Sequence, residues 1–498
     1  MFMLAAGALA LCLALSLITS MFATMLAKRD GSVHRGPLES YLLADGTLRR
    51  GPVVSLLVSS SFGLNSVLYQ VWLGYSVGAW GLIAQGAWAL SFVWLARHAH
   101  ELRQAKSLHD ILAMRFGPST RVIAALCTLC GFFFLMGWEV AIGRATMTGL
   151  FASDESMSAA DAPAAAAWFA ALAVFAAAVY TVYAGLRGNS VADLVQNAAK
   201  IAIFSLVAAL MAVAFLQAQN GTMWAYLSAL FPSPQIMMER LGLLGLITNV
   251  IFSLAWQFVD ASTWQSILAS ADRSSPEETR RQLRQSGAVV FLAPGVIGTL
   301  IGVGLALVPN IPQDTILTEA FVRSGAVGGL LSFAVLFACA ACIMSLVDGL
   351  LLASGYALTV DVAHARSTVS ELDEDPERAE TILIRLKALL VLLAMLAGWG
   401  VHELLNAIEM SLFDFLYVVI IPQLAILGPV AAALVRRGSN ERSMTLVIVA
   451  ALAVGFGTTW VGQRLGESSL VDGAGSATAL VSLALAWLFS KPSPRMKA

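Results

Sequence analysis

Two short stretches, SSSFGLNS at residues 59–66 and WQFVDASTWQ at 256–265, interrupt runs that are otherwise apolar. Each puts hydroxyls and an amide or a carboxylate near the middle of a segment long enough to cross a bilayer. A charge at the centre of a membrane helix costs roughly 2.5–3.5 kcal/mol, so intramembrane polar groups mark places to look for function. Stretches rich in Ser, Thr and Gly can unwind there, turning backbone carbonyls and amides toward a cavity instead of lipid.

The surrounding chain sets the context. It has 498 residues, 58% hydrophobic and 12% charged, with a mean hydropathy of +0.78. Soluble proteins carry about a quarter charged residues, so this composition reads as an all-α polytopic membrane protein forming one domain over residues 1–498. Spans are expected at 3–26, 52–76, 78–97, 120–150, 164–184, 190–217, 241–268, 288–309, 328–358, 386–405, 411–435, 443–463 and 469–490. The first has no basic residues before it and Lys28 and Arg29 after it, the pattern of an uncleaved helix with its N-terminus outside. With that orientation 25 of the 30 Lys and Arg residues fall on the cytoplasmic side and three (Arg240, Arg323, Arg464) outside. Positive charge inside is the rule for such proteins. The C-terminus is then cytoplasmic, and the cell inner membrane is the expected location.

The two polar stretches sit five spans apart, so their helices cross in opposite directions. Two broken helices so related, each opening a five-helix unit, make an inverted-repeat transporter. The repeats would cover about 52–217 and 241–435, with spans 1, 12 and 13 peripheral.

Other classes find little support. No G-x-x-x-x-G-K-[ST] loop occurs for an ATP-driven pump, and no H-E-x-x-H for a metalloenzyme. His98, His100 and His109 share one loop and read as solvated. The five cysteines fall inside apolar spans and read as buried small hydrophobes. A net charge of −1 suggests no nucleic-acid partner. Glu139 and Arg144 are too far around their helix to pair locally. Arg144 would snorkel to the outer interface, and Glu139 would be paired across helices or functional. Asp193 and Lys200 share a face, so Lys200 is expected to answer Asp193 through an intermediate partner. Pro422 should kink its span, and Gln423 beside it is within reach of a cavity.

Five motifs, in order, resemble the sodium:solute symporter family. YAGLRGNSVADLVQ (183–196) is similar to its Tyr-Gly-Gly-Leu…Asp-Val-Ile-Gln signature, and SLHDILAMRFG (107–117) to its Phe-Leu-x-x-Arg-Phe-Gly loop. ESYLLADGTLRRGPV (39–53) resembles the segment before its first core helix. FVDASTWQSILAS (258–270) resembles its seventh span, and ACIMSLVDGLLLASGYALTVDV (341–362) its sodium-site helix. The resemblance implies a LeuT-type inverted-repeat fold and cation-coupled uptake of a small solute across the bilayer, with no cofactor beyond the coupling ion.

It also implies site residues. Sodium would take backbone carbonyls from Ser59, Phe62 and Cys342 and the hydroxyl of Ser345; Leu346 stands where a second hydroxyl is expected. Asp193 matches the aspartate lining the cytoplasmic ion path, and Asp348 shares a face with Ser345. With a ligand missing, either sodium is retained with altered coordination or a proton carried by Asp193 or Asp348 drives transport. The solute pocket would use Ser61, Asn65 and Ser66 with Gln257, Asp260, Thr263 and Trp264; a carboxylate at 260 suits a solute with N–H donors or positive charge. The rival reading is a solute sensor. Some relatives fuse this module to a histidine kinase, but here the chain ends eight residues after the last span.

Overall fold

A computed structural model of the chain describes residues 1–29, 36–154, 157–158, 160–218, 222–270, 275–326, 328–408 and 412–492. These are helical almost throughout; the sole strand pairing among them joins Arg437–Gly438 to Lys491–Pro492. The helices that matter for the site are α1 (Phe2–Arg29), α2 (Arg50–Ser59), α3 (Leu64–Val77), α4 (Leu82–Leu95), α5 (Pro118–Ala152), α6 (Ala162–Ala218), α7 (Gly242–Val259), α8 (Ala261–Leu268), α9 (Pro276–Val290), α10 (Gly298–Gly304) and α11 (Gly329–Tyr356). After them come α12 (Pro376–Ile408), α13 (Leu412–Val419), α14 (Ile421–Ala425), α15 (Leu427–Leu434), α16 (Glu441–Leu465) and α17 (Ser468–Phe489).

Ten stretches of the described residues are long and apolar enough to cross a membrane, against thirteen expected spans. The difference has identifiable causes. Ala162–Ala218 holds two expected spans in one 57-residue run, and Leu64–Gln104 joins the end of one span to the next. The expected span at 411–435 is cut into α13, α14 and α15, each too short alone.

A continuous 57-residue helix would measure about 85 Å, nearly three hydrocarbon thicknesses. It breaks at Gly185, whose φ of 58° and ψ of −161° suit glycine. A side chain there would also lie 2.6 Å from the Tyr41 carbonyl oxygen. The break separates the expected spans 164–184 and 190–217.

Both polar stretches are breaks. The first interrupts the helix between Ser59 and Leu64, and the second at Asp260, in extended backbone with φ −82° and ψ 101°. α11 runs through the centre, packed on α6, α1 and α5, and is buried over most of its length. Most of its side chains are apolar, which is why Ser345 and Asp348 stand out in its middle. α3 and α10 cross unusually closely: a Cβ on Gly302 would sit 2.1 Å from the Val71 carbonyl oxygen, and one on Gly74 2.5 Å from that of Thr299. Glycine at such crossings lets two backbones touch.

Candidate functional site

A helix that starts inside a membrane leaves its first amides unpaired and presents a partial positive charge. Both breaks meet this with a carboxylate. For α3 it comes from another helix: buried Glu139 on α5 accepts the amides of Leu64 and Asn65, the latter at 2.9 Å. Gly63 makes room, since a Cβ there would lie 3.1 Å from a Glu139 oxygen and 2.7 Å from Leu346. For α8 the carboxylate is local. Asp260 accepts the Ser262 amide at 3.0 Å and the hydroxyls of Ser262 and Thr263 at 2.7 Å.

Between the breaks, on the side of α3, lies a small cavity of about 80 Å³. Ser61, Asn65 and Ser66 line it, as expected. Gln257, Asp260, Thr263 and Trp264 do not. They face one another inside α7 and α8: Thr263 donates to Gln257 Oε1 at 2.7 Å, and Trp264 donates from Nε1 to the Phe258 carbonyl at 3.2 Å. The carboxylate of Asp260 is spent on the cap, so it supplies the cavity with no charge.

Aromatic and amide side chains make up much of the remaining wall (Tyr69 and Gln70 on α3, Gln85 and Trp88 on α4, Trp138 on α5, Phe252 and Trp256 on α7), and aliphatic ones such as Leu135, Leu346 and Ile420 fill in between them. Trp88 and Trp256 stack with centroids 5.6 Å apart and 26° between planes, and Phe252 meets both edge-on. Among the described residues, no Asp, Glu, Lys or Arg lines the cavity. The indole nitrogen of Trp256 is buried with no hydrogen-bond partner among the described residues. Gln423 reaches no part of this wall and is fully buried behind it. Helical spacing was the available signal for the missed residues: 66 to 70, 85 to 88 and 252 to 256 each place polar or aromatic side chains on one face.

The positions expected to hold sodium are occupied by the protein's own atoms. Lys200, fully buried on α6, donates from Nζ to the Phe62 carbonyl at 3.0 Å and to Ser345 Oγ at 2.8 Å. Its ammonium also lies 4.8 Å from the centroid of the Phe62 ring. The Ser59 carbonyl accepts the Phe62 amide at 3.2 Å, Ser345 Oγ lies 3.4 Å from the Cys342 carbonyl, and Leu346 contributes no oxygen. These residues do not fit a sodium ion as they stand. Lys200 thus hydrogen-bonds to Phe62 and Ser345, with Asp193 among the acids facing it. Asp348 Oδ2 accepts the Tyr180 hydroxyl at 2.5 Å, while Oδ1 of Asp348 and Oδ1 of Asp193 have no partner among the described residues.

The start of α2 and the segment before it are tied to neighbouring elements. Arg50 grips Glu278 through Nε and an Nη, at 2.5 and 2.9 Å. Beside them the Leu48 amide donates to the Ala269 carbonyl at 2.8 Å, and Gln265 to the Leu42 carbonyl at 2.8 Å. His109 corrects the reading of its loop: it is buried, with Nδ1 2.7 Å from Asp361 and Nε2 2.9 Å from Thr128 Oγ1. Arg121 joins the same aspartate at 2.8 Å.

No protein-family model matches the chain, and no curated protein matches it by sequence. Solved structures do. A Na+-coupled sialic acid symporter in a substrate-bound outward-open state aligns with a TM-score of 0.69 at 14% identity, covering 99% of each chain. Mhp1, a nucleobase-cation-symport-1 family transporter in a closed conformation with bromovinylhydantoin bound, aligns at TM-score 0.52 and 13% identity, covering 91% of this chain and 93% of that one. MhsT in complex with L-phenylalanine aligns at 0.51 and 16%, covering 89% and 98%. The fold is the LeuT type. It is an all-α membrane fold.

Proposed function

We propose that this protein is a secondary transporter working by alternating access, carrying a small uncharged solute with hydrogen-bonding groups beside a flat apolar face. One observation carries the reading: a cavity beside two broken helices, with stacked tryptophans and amides in its wall. A solute cavity beside two helices broken within the bundle is what a transporter of this fold needs. The aromatic wall offers a stacking surface, and the unpartnered Trp256 indole asks for an acceptor on the solute. Amide-bearing neutral solutes satisfy both, and a cationic amine would find no carboxylate in the wall.

The motifs quoted above support membership of the sodium:solute symporter family, and the charge distribution supports a C-terminus and an Arg50 end on the cytoplasmic side of the inner membrane. The fold's solved neighbours include proteins described as transporters. The test is a thermal-shift screen of neutral amides, nucleobases, sugars and amino acids with the purified protein, followed by flux of each radiolabelled hit into proteoliposomes. Saturable uptake with counterflow supports transport. Binding with no flux replaces it by a solute sensor.

A further inference from the structure

The buried ammonium of Lys200 sits where oxygens of two separate elements converge, the break between α2 and α3 and the middle of α11. It takes the Phe62 carbonyl and the Ser345 hydroxyl, and the face of the Phe62 ring lies beneath it. Both oxygens belong to the set that the family resemblance assigns to sodium. An ammonium and a sodium ion ask the same thing of a site: oxygens pointing inward and a setting that tolerates one positive charge. Acids face this point from three helices, Glu139 on α5, Asp193 on α6 and Asp348 on α11, together with the thiol of Cys342. A buried charge persists only where it is paired and hydrogen-bonded, and here the pairing is built into the chain.

We propose that Lys200 is a tethered cation standing in the sodium position between the first broken helix and α11, so that solute movement by this protein is independent of sodium. This rests on the transporter reading above. The lysine is joined to α6 by its own stem, so unlike a bound ion it cannot dissociate from the protein. A sodium ion arriving beside it would meet an ammonium at contact distance and two oxygens already engaged. Leu346 then has an explanation. With an ammonium in place, a further hydroxyl is not required, and a leucine can fill the space beside Gly63 and face the cavity.

The experiment uses full-length protein purified in detergent, melted as NaCl replaces choline chloride at constant ionic strength. A ligand that binds only the folded state raises the melting temperature in proportion to the logarithm of its excess over Kd. Wild type is expected to show no sodium-selective shift, and neither is Leu346→Ser, which restores the hydroxyl but keeps the ammonium. The double variant Lys200→Ala with Leu346→Ser is expected to gain a saturable rise of several degrees with NaCl that KCl does not reproduce. A sodium-selective rise in wild type overturns the proposal. A rise in Leu346→Ser overturns it too, because the missing hydroxyl and not the ammonium would then be what excludes sodium. A folded double variant that stays flat removes the position from consideration as a cation site. Should that variant not fold, flat melts of the other two support the proposal. The readout is ion binding, so an absence of solute flux alongside this pattern sinks only the transport reading.

Discussion

The carboxylate of Glu139 accepts the backbone amide of Asn65 at 2.9 Å, and through it α5 caps a helix that begins in mid-membrane. The same carboxylate takes the Leu64 amide, so one side chain answers two of the donors that a broken helix leaves open.

Removing that cap should be costly. Hydrogen bonds to a charged group contribute more than neutral ones, so Glu139→Ala should lower stability by about 2 kcal/mol or more. Glu139→Gln keeps one acceptor and should lose less. Thermal melts in detergent check the order, and equal melting temperatures for all three proteins would show that the cap carries no weight.

Trp256 makes a sharper test of the cavity. Trp256→Phe keeps an aromatic ring against Trp88 but deletes the unpartnered N–H. For a solute found in the screen, Kd should rise about tenfold, the worth of one hydrogen bond. Titration by intrinsic fluorescence measures it. An unchanged Kd would mean that the solute does not meet this indole.

Arg50 and Glu278 form a partly exposed pair with two hydrogen bonds. Such pairs contribute little to global stability, so Glu278→Gln should barely move the melting temperature. Its effect should appear in accessibility. A cysteine placed at Gln265 should react with a polar maleimide several-fold faster when Glu278→Gln is also present. Equal rates would show that the pair does not restrict access there.

Asp361 joins His109 and Arg121 in one buried cluster. Asp361→Ala leaves the guanidinium without its carboxylate, a loss on the order of 3–5 kcal/mol for a buried pair. Severe loss of folded protein on size exclusion is the expected result. Normal yield and melting would mean that Asp110, 3.9 Å from Arg121, suffices.

Much of this was legible in the chain. The breaks at 59–66 and 256–265 announce themselves because lipid tolerates no idle polar group, and Gly185 lies in a recognisable motif. The errors share a cause. Asp260 looked like a ligand for solute, although Asp-x-Ser-Thr is equally the pattern of an aspartate capping its own helix. His109 looked solvated beside polar neighbours, while its partner Asp361 stands 252 residues away. For Lys200 the shared face with Asp193 is legible, but one of its acceptors is a backbone carbonyl 138 residues distant, which no side-chain pattern records. Local spacing reports caps and faces; contacts across the bundle need the fold.

The near-touching backbones of α3 and α10, at Gly302 over Val71 and Gly74 over Thr299, bear on how the molecule changes shape. Helices meshed that closely resist sliding past one another, because a shift drives the backbone of one against a carbonyl oxygen of the other. They must swing together as one stiff plank. The flexing then falls to the short unwound link from Ser60 to Gly63, which makes that link an elbow with Glu139 clamping one bone and Lys200 lodged in the crook.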